Sequence, residues 1–503
     1  MKRDRMRHNL FAGLASSIWS AGIGLVVVPL YLKYLGMEAY GLVGIFATAQ
    51  ALFSLLDLGL APAMNREVAR ASAEGNLRPA RALLHTLSLV YWIMAIAIAI
   101  ISIVAAPLVA HHWLKSDHLS RETVSHALML MGIVIACRWP IGLYLGTLVG
   151  AQRVTLASAV GIATSTASNF GAVGILAWVS PHIESFFLWQ AAIGIIYAIA
   201  MRTAAWHAIG REPGLGFSVP ALARIWRFSA GISGIAVSAL VLTQVDKIVM
   251  SRFLSLSNFG QYSLATLVVS GLYLFINPTF NVIYPRFSAL VASGNANQLA
   301  DLYRGGTRLF ALTLFPLAML LAVFAKDLVV LWTGNAQLAS TIAPVIALLA
   351  AGSALHGIMY FSYALQLAYG MTRLPLTINA VLIAVAVPLM AWLAWRFGIE
   401  GGAAAVLLLY VIYLLLGSFL THRVLLRSIG LIWICRDVGA PLAVSLGIGA
   451  TGSWILEQGT WSIGQKVGIA LGMLLGACTI SLAIAPRSTL PLLLRTLRSP
   501  KRD

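Results

Sequence analysis

The sequence predicts an all-α polytopic membrane protein with about 14 transmembrane helices, built as two parallel-repeat six-helix bundles plus a C-terminal helix pair. Three observations predict this fold class. The 503-residue chain is 60% hydrophobic and only 10% charged, whereas soluble domains carry about 25% charged residues. Apolar runs near the length of a membrane span recur along the whole chain. The first half also resembles the second at a constant offset, which indicates a duplicated bundle.

The apolar runs define the predicted spans. A helix needs roughly 20 apolar residues to cross a hydrocarbon core about 30 Å thick, because it must satisfy its own backbone hydrogen bonds there. The qualifying runs cover residues 10–32, 41–64, 82–110, 124–150, 156–179, 185–207, 228–251, 262–284, 309–331, 338–367, 374–395, 401–421, 438–456 and 467–484.

The net charge of +18 indicates topology rather than a nucleic-acid partner. With a cytoplasmic N-terminus, 25 of the 34 Lys and Arg residues lie on the inner side, eight lie outside, and Arg138 alone lies in mid-span. This distribution obeys the positive-inside rule and predicts that both termini are cytoplasmic. The outer connections are short, the longest being 111–123, which argues against an outer catalytic domain. No spacing of the three cysteines suggests a metal site, so we expect neither an enzyme nor a cofactor.

An internal repeat predicts the domain organisation. At an offset of 219 to 220 residues, four separate places in the first half match places in the second. From the repeat we predict bundles at 1–208 and 220–421, an added helix pair at 422–485 and a basic cytoplasmic tail at 486–503. The matching positions are Leu35, Tyr40 and Gly41 with Leu254, Phe259 and Gly260; Arg66 with Arg286; Gly75 and Asn76 with Gly294 and Asn295; and Gly150, Arg153 and Leu156 with Gly370, Arg373 and Leu376.

Several short motifs carry a family resemblance. They read PLY at 29–31, LGMEAYGL at 35–42, LLDLGL at 55–60, NRE at 65–67, QVDKI at 244–248 and FGQY at 259–262. Through them the chain resembles the polysaccharide transporter family, the Wzx-type flippases of O-antigen and other lipid-linked oligosaccharides. That family belongs to the multidrug/oligosaccharidyl-lipid/polysaccharide exporter (MOP) superfamily.

The resemblance implies a function. It suggests that undecaprenyl-diphosphate-linked oligosaccharide moves from the cytoplasmic to the periplasmic leaflet of the bacterial inner membrane, by alternating opening of two bundles, for surface polysaccharide such as O-antigen or exopolysaccharide. The implied partners are this lipid-linked glycan, membrane lipids, and the polymerase and glycosyltransferases of the same pathway. Coupling to H⁺ or Na⁺ stays open.

Polar side chains inside the apolar runs are the candidate substrate-binding residues, because placing them in a bilayer is costly unless they face protein or water. Arg138 lies near the middle of the fourth run, where a guanidinium can hold a diphosphate by paired hydrogen bonds. Its alternatives are an ion pair with Asp57, a backbone carbonyl, or snorkelling. Asp57 shares a predicted helix face with Gln50 and Asn65. This face predicts a polar cavity, although Asp57 could instead bind a cation or proton, or pair with Arg66.

The second half carries a corresponding polar stripe. Asn277 and Asn281 have helical spacing in the eighth run, and the repeat offset places Asn277 opposite Asp57. We therefore expect the two stripes to line one shared cavity in a cleft between the bundles. The alternative is that these amides hold neighbouring helices together.

Further candidates lie at the membrane boundaries. Arg66 and Arg286 occupy equivalent positions at the inner mouth, where they either attract the diphosphate or simply satisfy the charge rule. Gln244, Asp246 and Lys247 lie near the outer end of the seventh run. They are candidates for gating or ligand binding, with interfacial solvation as the alternative.

Other functions are weighed against the flippase. An ion-coupled exporter of cationic drugs would require an anionic cavity, whereas the deepest charge here is Arg138. A flippase for peptidoglycan lipid precursors fits the same features. A membrane polymerase or glycosyltransferase is less favoured, because such enzymes generally need a large outer loop or a pair of positioned carboxylates.

Overall fold

The computed structural model describes residues 2–212, 214, 216–426 and 429–484, and the predicted tail 486–503 lies outside the described residues. Within these ranges the chain is helical and contains no β-strand, which confirms the all-α prediction. The helices are α1 Lys2–Phe53, α2 Leu60–Glu74, α3 Arg78–His112, α4 Arg121–Arg138, α5 Ile141–Gly150, α6 Val154–Trp178, α7 Ile183–Ile209, α8 Val219–Phe253, α9 Leu256–Ser270, α10 Tyr273–Ala292, α11 Ala296–Val323, α12 Ala325–Thr333, α13 Ala336–Ala368, α14 Arg373–Ile412, α15 Ser418–Leu425, α16 Gly430–Ile432, α17 Ala440–Glu457 and α18 Ile463–Ile484.

Two of these helices are each interrupted by a glycine. Helix α1 has 52 residues and would be about 78 Å long if straight, more than twice the thickness of a hydrocarbon core of about 30 Å. Its helical geometry breaks at Gly36, where φ is 79°. Helix α14 has 40 residues and breaks at Gly398, where φ is 60°. Glycine accepts these positive φ angles without a Cβ clash, so each long stretch divides into two helices at its glycine.

The predicted spans can be compared with the helices. Among the described residues, ten helical stretches are long and apolar enough to cross a membrane, or eleven if α9 and α10, bent by 47°, form one span. This supports a multi-pass membrane protein but does not confirm the predicted number of 14. Part of the difference arises because Phe11–Asp57 and Arg373–Leu425 each count once, although each contains a glycine break.

The chain divides into two compact units, Met1–Gly260 and Gln261–Asp503. In the first unit α3 packs against α4, α1 packs against α6, and α7 packs against both α4 and α6. In the second unit α13 packs against α10, α11 and α14, while α17 and α18 pack against α11. The bundle limits derived from the repeat remain predictions.

Helices α2 and α5 approach each other through glycines. A Cβ atom on Gly146 would lie 2.5 Å from the carbonyl oxygen of Ala61, and one on Gly150 would lie 2.5 Å from that of Asn65. The four-residue spacing places both glycines on one face of α5, as in the small-residue motifs that bring membrane helices together. This contact fixes Asn65 beside α5.

The second predicted span is broken inside the first unit. After α1 the chain forms a 3₁₀ turn over Ser54–Asp57. Leu58 and Gly59 then adopt left-handed conformations, with φ of 46° and 78°, before α2 begins. Transporters often place binding sites at such interrupted helices, because the break frees backbone groups to line a cavity.

The fourth span is broken beside it. Helix α4 ends at Arg138, and α5 follows Pro140, which has no N–H to continue the helical hydrogen bonds. Between them, the Trp139 indole Nε1 donates to the carbonyl oxygen of Phe53 at 3.2 Å. This bond satisfies a carbonyl at the end of α1 and joins the two breaks.

The loop between α3 and α4 is fixed by a residue of the LGMEAYGL motif. The buried Glu38 carboxylate accepts backbone N–H bonds from Asp117 at 2.7 Å, from His118 at 3.0 and 3.2 Å, and from Leu119 at 3.3 Å. Three consecutive amides facing one carboxylate make charge-assisted hydrogen bonds. The motif therefore has a structural role at this point.

The second unit contains a buried ion cluster. Asp437 lies in a π-helical segment, Trp433–Gly439, and is fully buried. Its Oδ2 accepts from Arg304 Nε at 2.8 Å, and its Oδ1 accepts from Arg308 Nη2. The cluster therefore joins α11 to the segment that leads into α17.

Candidate functional site

Two adjoining cavities lie in the first unit, at the broken spans. The first has a volume of about 530 Å³ and the second about 370 Å³, both within the range of about 300–1,000 Å³ typical of ligand sites. The first brings Arg138 together with three predicted residues from an earlier part of the chain: Gln50, Asp57 and Asn65. Residues that line both cavities are Gln50, Arg138, Gly142 and Leu145.

The Arg138 guanidinium is held by neutral groups. Its Nη2 donates to Gln190 Oε1 at 2.5 Å and to Ser168 Oγ at 3.1 Å. Ser168 in turn donates to the same Gln190 oxygen at 2.5 Å. The guanidinium carbon lies 5.7 Å from the centre of the Phe46 ring, within the range of a cation–π contact.

The charge of Arg138 has no carboxylate partner within the described part of the chain. An arginine has five N–H donors, and in the described residues those on Nε and Nη1 find no acceptor. The side chain nevertheless lines both cavities. An anionic ligand in either cavity therefore has donors available to it.

Asp57 has partners of its own. The Tyr91 hydroxyl donates to its Oδ1, and the backbone N–H of Ala61 donates to its Oδ2 at 3.3 Å. The carboxylate thereby caps the first turn of α2, where the helix dipole favours a negative charge. The ion pair between Arg138 and Asp57, considered above as a structural alternative, does not form among the described residues.

The boundary residues of the first unit lie away from these cavities. Arg66 is exposed on α2, one residue after Asn65, and lines neither cavity. Gln244, Asp246 and Lys247 lie on α8 and also line neither cavity. Lys247 Nζ lies 3.8 Å from Asp246 Oδ1, so these neighbours form an ion pair.

The predicted residues of the second unit lie on α10. Asn277 and Asn281 are exposed on α10. Arg286 is exposed and lines a separate, mostly apolar cavity of about 460 Å³ together with Pro278 and Phe310. Roles for these residues and for the boundary residues above remain predictions.

The partners of Arg138 and the polar lining of the second cavity were not predicted from the sequence. This lining comes largely from α6, with Ser165 and Asn169 one turn apart and Thr164 and Ser168 one turn apart. That i, i+4 spacing inside an apolar run is a polar stripe that could have been noticed. The contact of Gln190 with Arg138 could not be predicted from local spacing, because the two residues are 52 positions apart.

The family model described as polysaccharide biosynthesis protein matches residues 6–291. No curated protein has a significant sequence match to the chain.

Three solved structures share the fold. The lipid II flippase MurJ in an inward closed conformation has a TM-score of 0.72 at 14% identity, covering 93% of this chain and 98% of that one. An inward-facing multidrug resistance MATE family transporter of the MOP superfamily has a TM-score of 0.66 at 13% identity, with 84% and 99% covered. A mutant of the Vibrio cholerae MATE transporter VcmN has a TM-score of 0.57 at 15% identity, with 86% and 98% covered.

Proposed function

Because the chain belongs to the family of polysaccharide biosynthesis proteins, we propose that it is a flippase for undecaprenyl-diphosphate-linked oligosaccharide repeat units. It moves them by alternating access from the cytoplasmic to the periplasmic leaflet of the bacterial inner membrane, where both of its termini are cytoplasmic. The units then feed surface polysaccharide synthesis by the polymerase of the same pathway.

The observation that carries this proposal is the uncompensated charge of Arg138 in the wall of both cavities. Removing a cation from water costs free energy unless attraction to an anion offsets the lost hydration. Because no carboxylate in the described residues pairs with Arg138, a diphosphate can supply the negative charge that compensates the guanidinium. Its oxygens would accept the free N–H groups on Nε and Nη1 in charge-assisted bonds.

The other residues of the first cavity suit the neighbourhood of such a headgroup. The amides of Gln50 and Asn65 offer both donors and acceptors to a hydrated ligand. Asp57 is already bonded to Tyr91 and Ala61, which reduces its repulsion of an incoming anion. Arginine also stays protonated at any physiological pH, so binding does not depend on titration of the cation.

A peptidoglycan lipid precursor is the second candidate substrate, favoured by the likeness of the fold to the lipid II flippase MurJ. Both substrates place a diphosphate between a polyprenyl chain and a glycan, so Arg138 would serve either. A cationic drug is disfavoured, because the unpaired guanidinium would repel it.

The test is the sidedness of the substrate in cells that lack the protein. Lipid-linked glycan should accumulate at the cytoplasmic face, where a membrane-impermeant reagent added to intact spheroplasts cannot reach it. Restoring the gene should make it accessible. Accumulation at the outer face in the deletion strain would contradict the proposal and favour a polymerase instead.

A further inference from the structure

We propose that the second cavity is a sugar subsite, which binds the first sugar ring of the glycan while Arg138 holds the diphosphate. This inference rests on the proposed function. It adds that the protein itself recognises the glycan, through residues that line the second cavity.

The chemistry of the lining favours a neutral, hydroxylated ligand. Nine of the fifteen lining residues have polar side chains, and Arg138 is the one charged residue among them. An apolar prenyl chain would offer no hydrogen bond to those polar groups that have no partner within the protein. A second anion would find no further cation. The polar members are Ser16, Ser20, Gln50, Arg138, Thr164, Ser165, Ser168, Asn169 and Tyr197.

Part of this lining is committed to the protein. Thr164 Oγ1 donates to the Val160 carbonyl at 2.8 Å, and Asn169 Nδ2 donates to the Ser165 carbonyl at 2.9 Å. Ser168 bonds to Gln190 as described. These bonded groups form part of the wall of the second cavity.

Other polar groups remain available. Among the described residues, the side chains of Gln50, Ser165 and Tyr197 have no hydrogen-bond partner although they line the cavity. An amide and two hydroxyls can each donate and accept, which matches the mixed donor and acceptor character of sugar hydroxyls. A purely helix-joining role would instead have paired them across the helices.

The position of Arg138 and Gln50 links the two cavities. Both residues line both spaces, so a phosphate bonded to the free edge of the guanidinium lies at the boundary. The first sugar is attached directly to the diphosphate and must therefore lie next to that boundary. The second cavity, at about 370 Å³, is the smaller space and fits one small ligand group.

Gly161 offers a way to fill the second cavity alone. It lines that cavity and not the first. A Cβ atom at Gly161 would lie 3.6 Å from both Ser16 Oγ and Tyr197 Oη, which is ordinary van der Waals contact. Gly161→Ala should therefore fold while reducing the space for a sugar.

The experiment measures binding of two lipids to the purified full-length protein in nanodiscs. One is synthetic undecaprenyl diphosphate, and the other is the lipid-linked glycan extracted from the deletion strain. Wild type should bind the glycan-bearing lipid about tenfold more tightly. Ser165→Ala and Tyr197→Phe should each reduce that preference by about three- to tenfold, the usual range for one hydrogen bond. Gly161→Ala should reduce the preference by occupying part of the cavity, and all three variants should leave undecaprenyl diphosphate binding unchanged.

Two controls separate the possible outcomes. Ser17→Ala should change nothing, because Ser17 donates to the Gly13 carbonyl at 3.0 Å and lines neither cavity. Arg138→Gln should weaken both lipids alike. An undiminished preference in all three cavity variants, or equal binding of both lipids by wild type, would overturn the sugar subsite while leaving the flippase proposal intact. Failure of wild type to bind undecaprenyl diphosphate would overturn both.

Discussion

Arg138 in the first unit and Arg308 in the second present the same cation in opposite settings. Arg308 is buried against the fully buried carboxylate of Asp437, with Arg304 on the other carboxylate oxygen. Arg138 is held by the neutral side chains of Ser168 and Gln190 beside two cavities. The difference teaches that the same cation is structural where an internal carboxylate neutralises it and is available to a ligand where no carboxylate does.

The two settings differ in how they are stabilised. A buried ion pair contributes modestly when intact, but removing one partner costs about 3–5 kcal/mol, because a buried charge is left alone. Ser168 and Gln190 orient the guanidinium without cancelling its charge. Replacing Arg138 should therefore spare the fold, whereas replacing a member of the Asp437 cluster should not.

The largest expected effect is on export. Arg138→Ala should abolish surface polysaccharide at wild-type protein levels, and Arg138→Lys should restore only part of it, because lysine cannot reproduce the planar fork of donors. Quantification of surface glycan, with immunoblotting of membranes, checks both. Normal export by Arg138→Ala would contradict the contrast with Arg308, because the unpaired charge of Arg138 would then have no role in transport.

The next effect is on stability. Asp437→Asn and Arg308→Gln should each destabilise the protein by about 3–5 kcal/mol, seen as a lower melting temperature in detergent and less protein in the membrane. The control is Asp327→Asn, which removes the more exposed pair of Asp327 with Lys466 at 2.5 Å and should cost at most about 1 kcal/mol. Equal melting temperatures for Asp437→Asn and Asp327→Asn would refute a structural role for the buried cluster.

The smallest expected effect is on transport, through the hydrogen bond to Asp57. Tyr91→Phe removes the hydroxyl that donates to the carboxylate, and hydrogen bonds to charged groups contribute about 1.5–3 kcal/mol. We expect a partial loss of transport in proteoliposomes, because the freed carboxylate repels the diphosphate more strongly. The matched variant is Tyr144→Phe, whose hydroxyl accepts from Trp92 Nε1 at 3.1 Å outside both cavities. If Tyr144→Phe reduced transport as much, the effect would not be specific to Asp57.

Much of the helical fold and part of the site were predictable from the sequence. Apolar runs locate the helices because a chain in a bilayer must satisfy its own backbone hydrogen bonds. Helical spacing placed Gln50, Asp57 and Asn65 on one face, and all three line the first cavity although the helix is broken between them at Leu58 and Gly59. Arg138 was identifiable because it alone of the Lys and Arg residues lies in mid-span.

The remaining features depend on contacts between distant parts of the chain. Arg308 counts with the inner-rim cations by the charge rule, and only the fold reveals its bond to Asp437, 129 positions away. The Tyr91 bond to Asp57 and the Gln190 bond to Arg138 are similarly non-local. The left-handed turn at Leu58 could also not be predicted from the residue type, since leucine rarely adopts a positive φ.

The most direct measurement gives Arg138 an internal carboxylate partner without substituting Arg138 itself. Ser168→Asp places a carboxylate where a hydroxyl now lies 3.1 Å from Arg138 Nη2, and Ser168→Asn has the same shape without the charge. Binding of undecaprenyl diphosphate to the purified protein should fall at least about thirtyfold in Ser168→Asp, in line with the cost of about 2 kcal/mol or more for disrupting a charge pair, and should persist in Ser168→Asn. Equal affinities for the two variants would contradict the account.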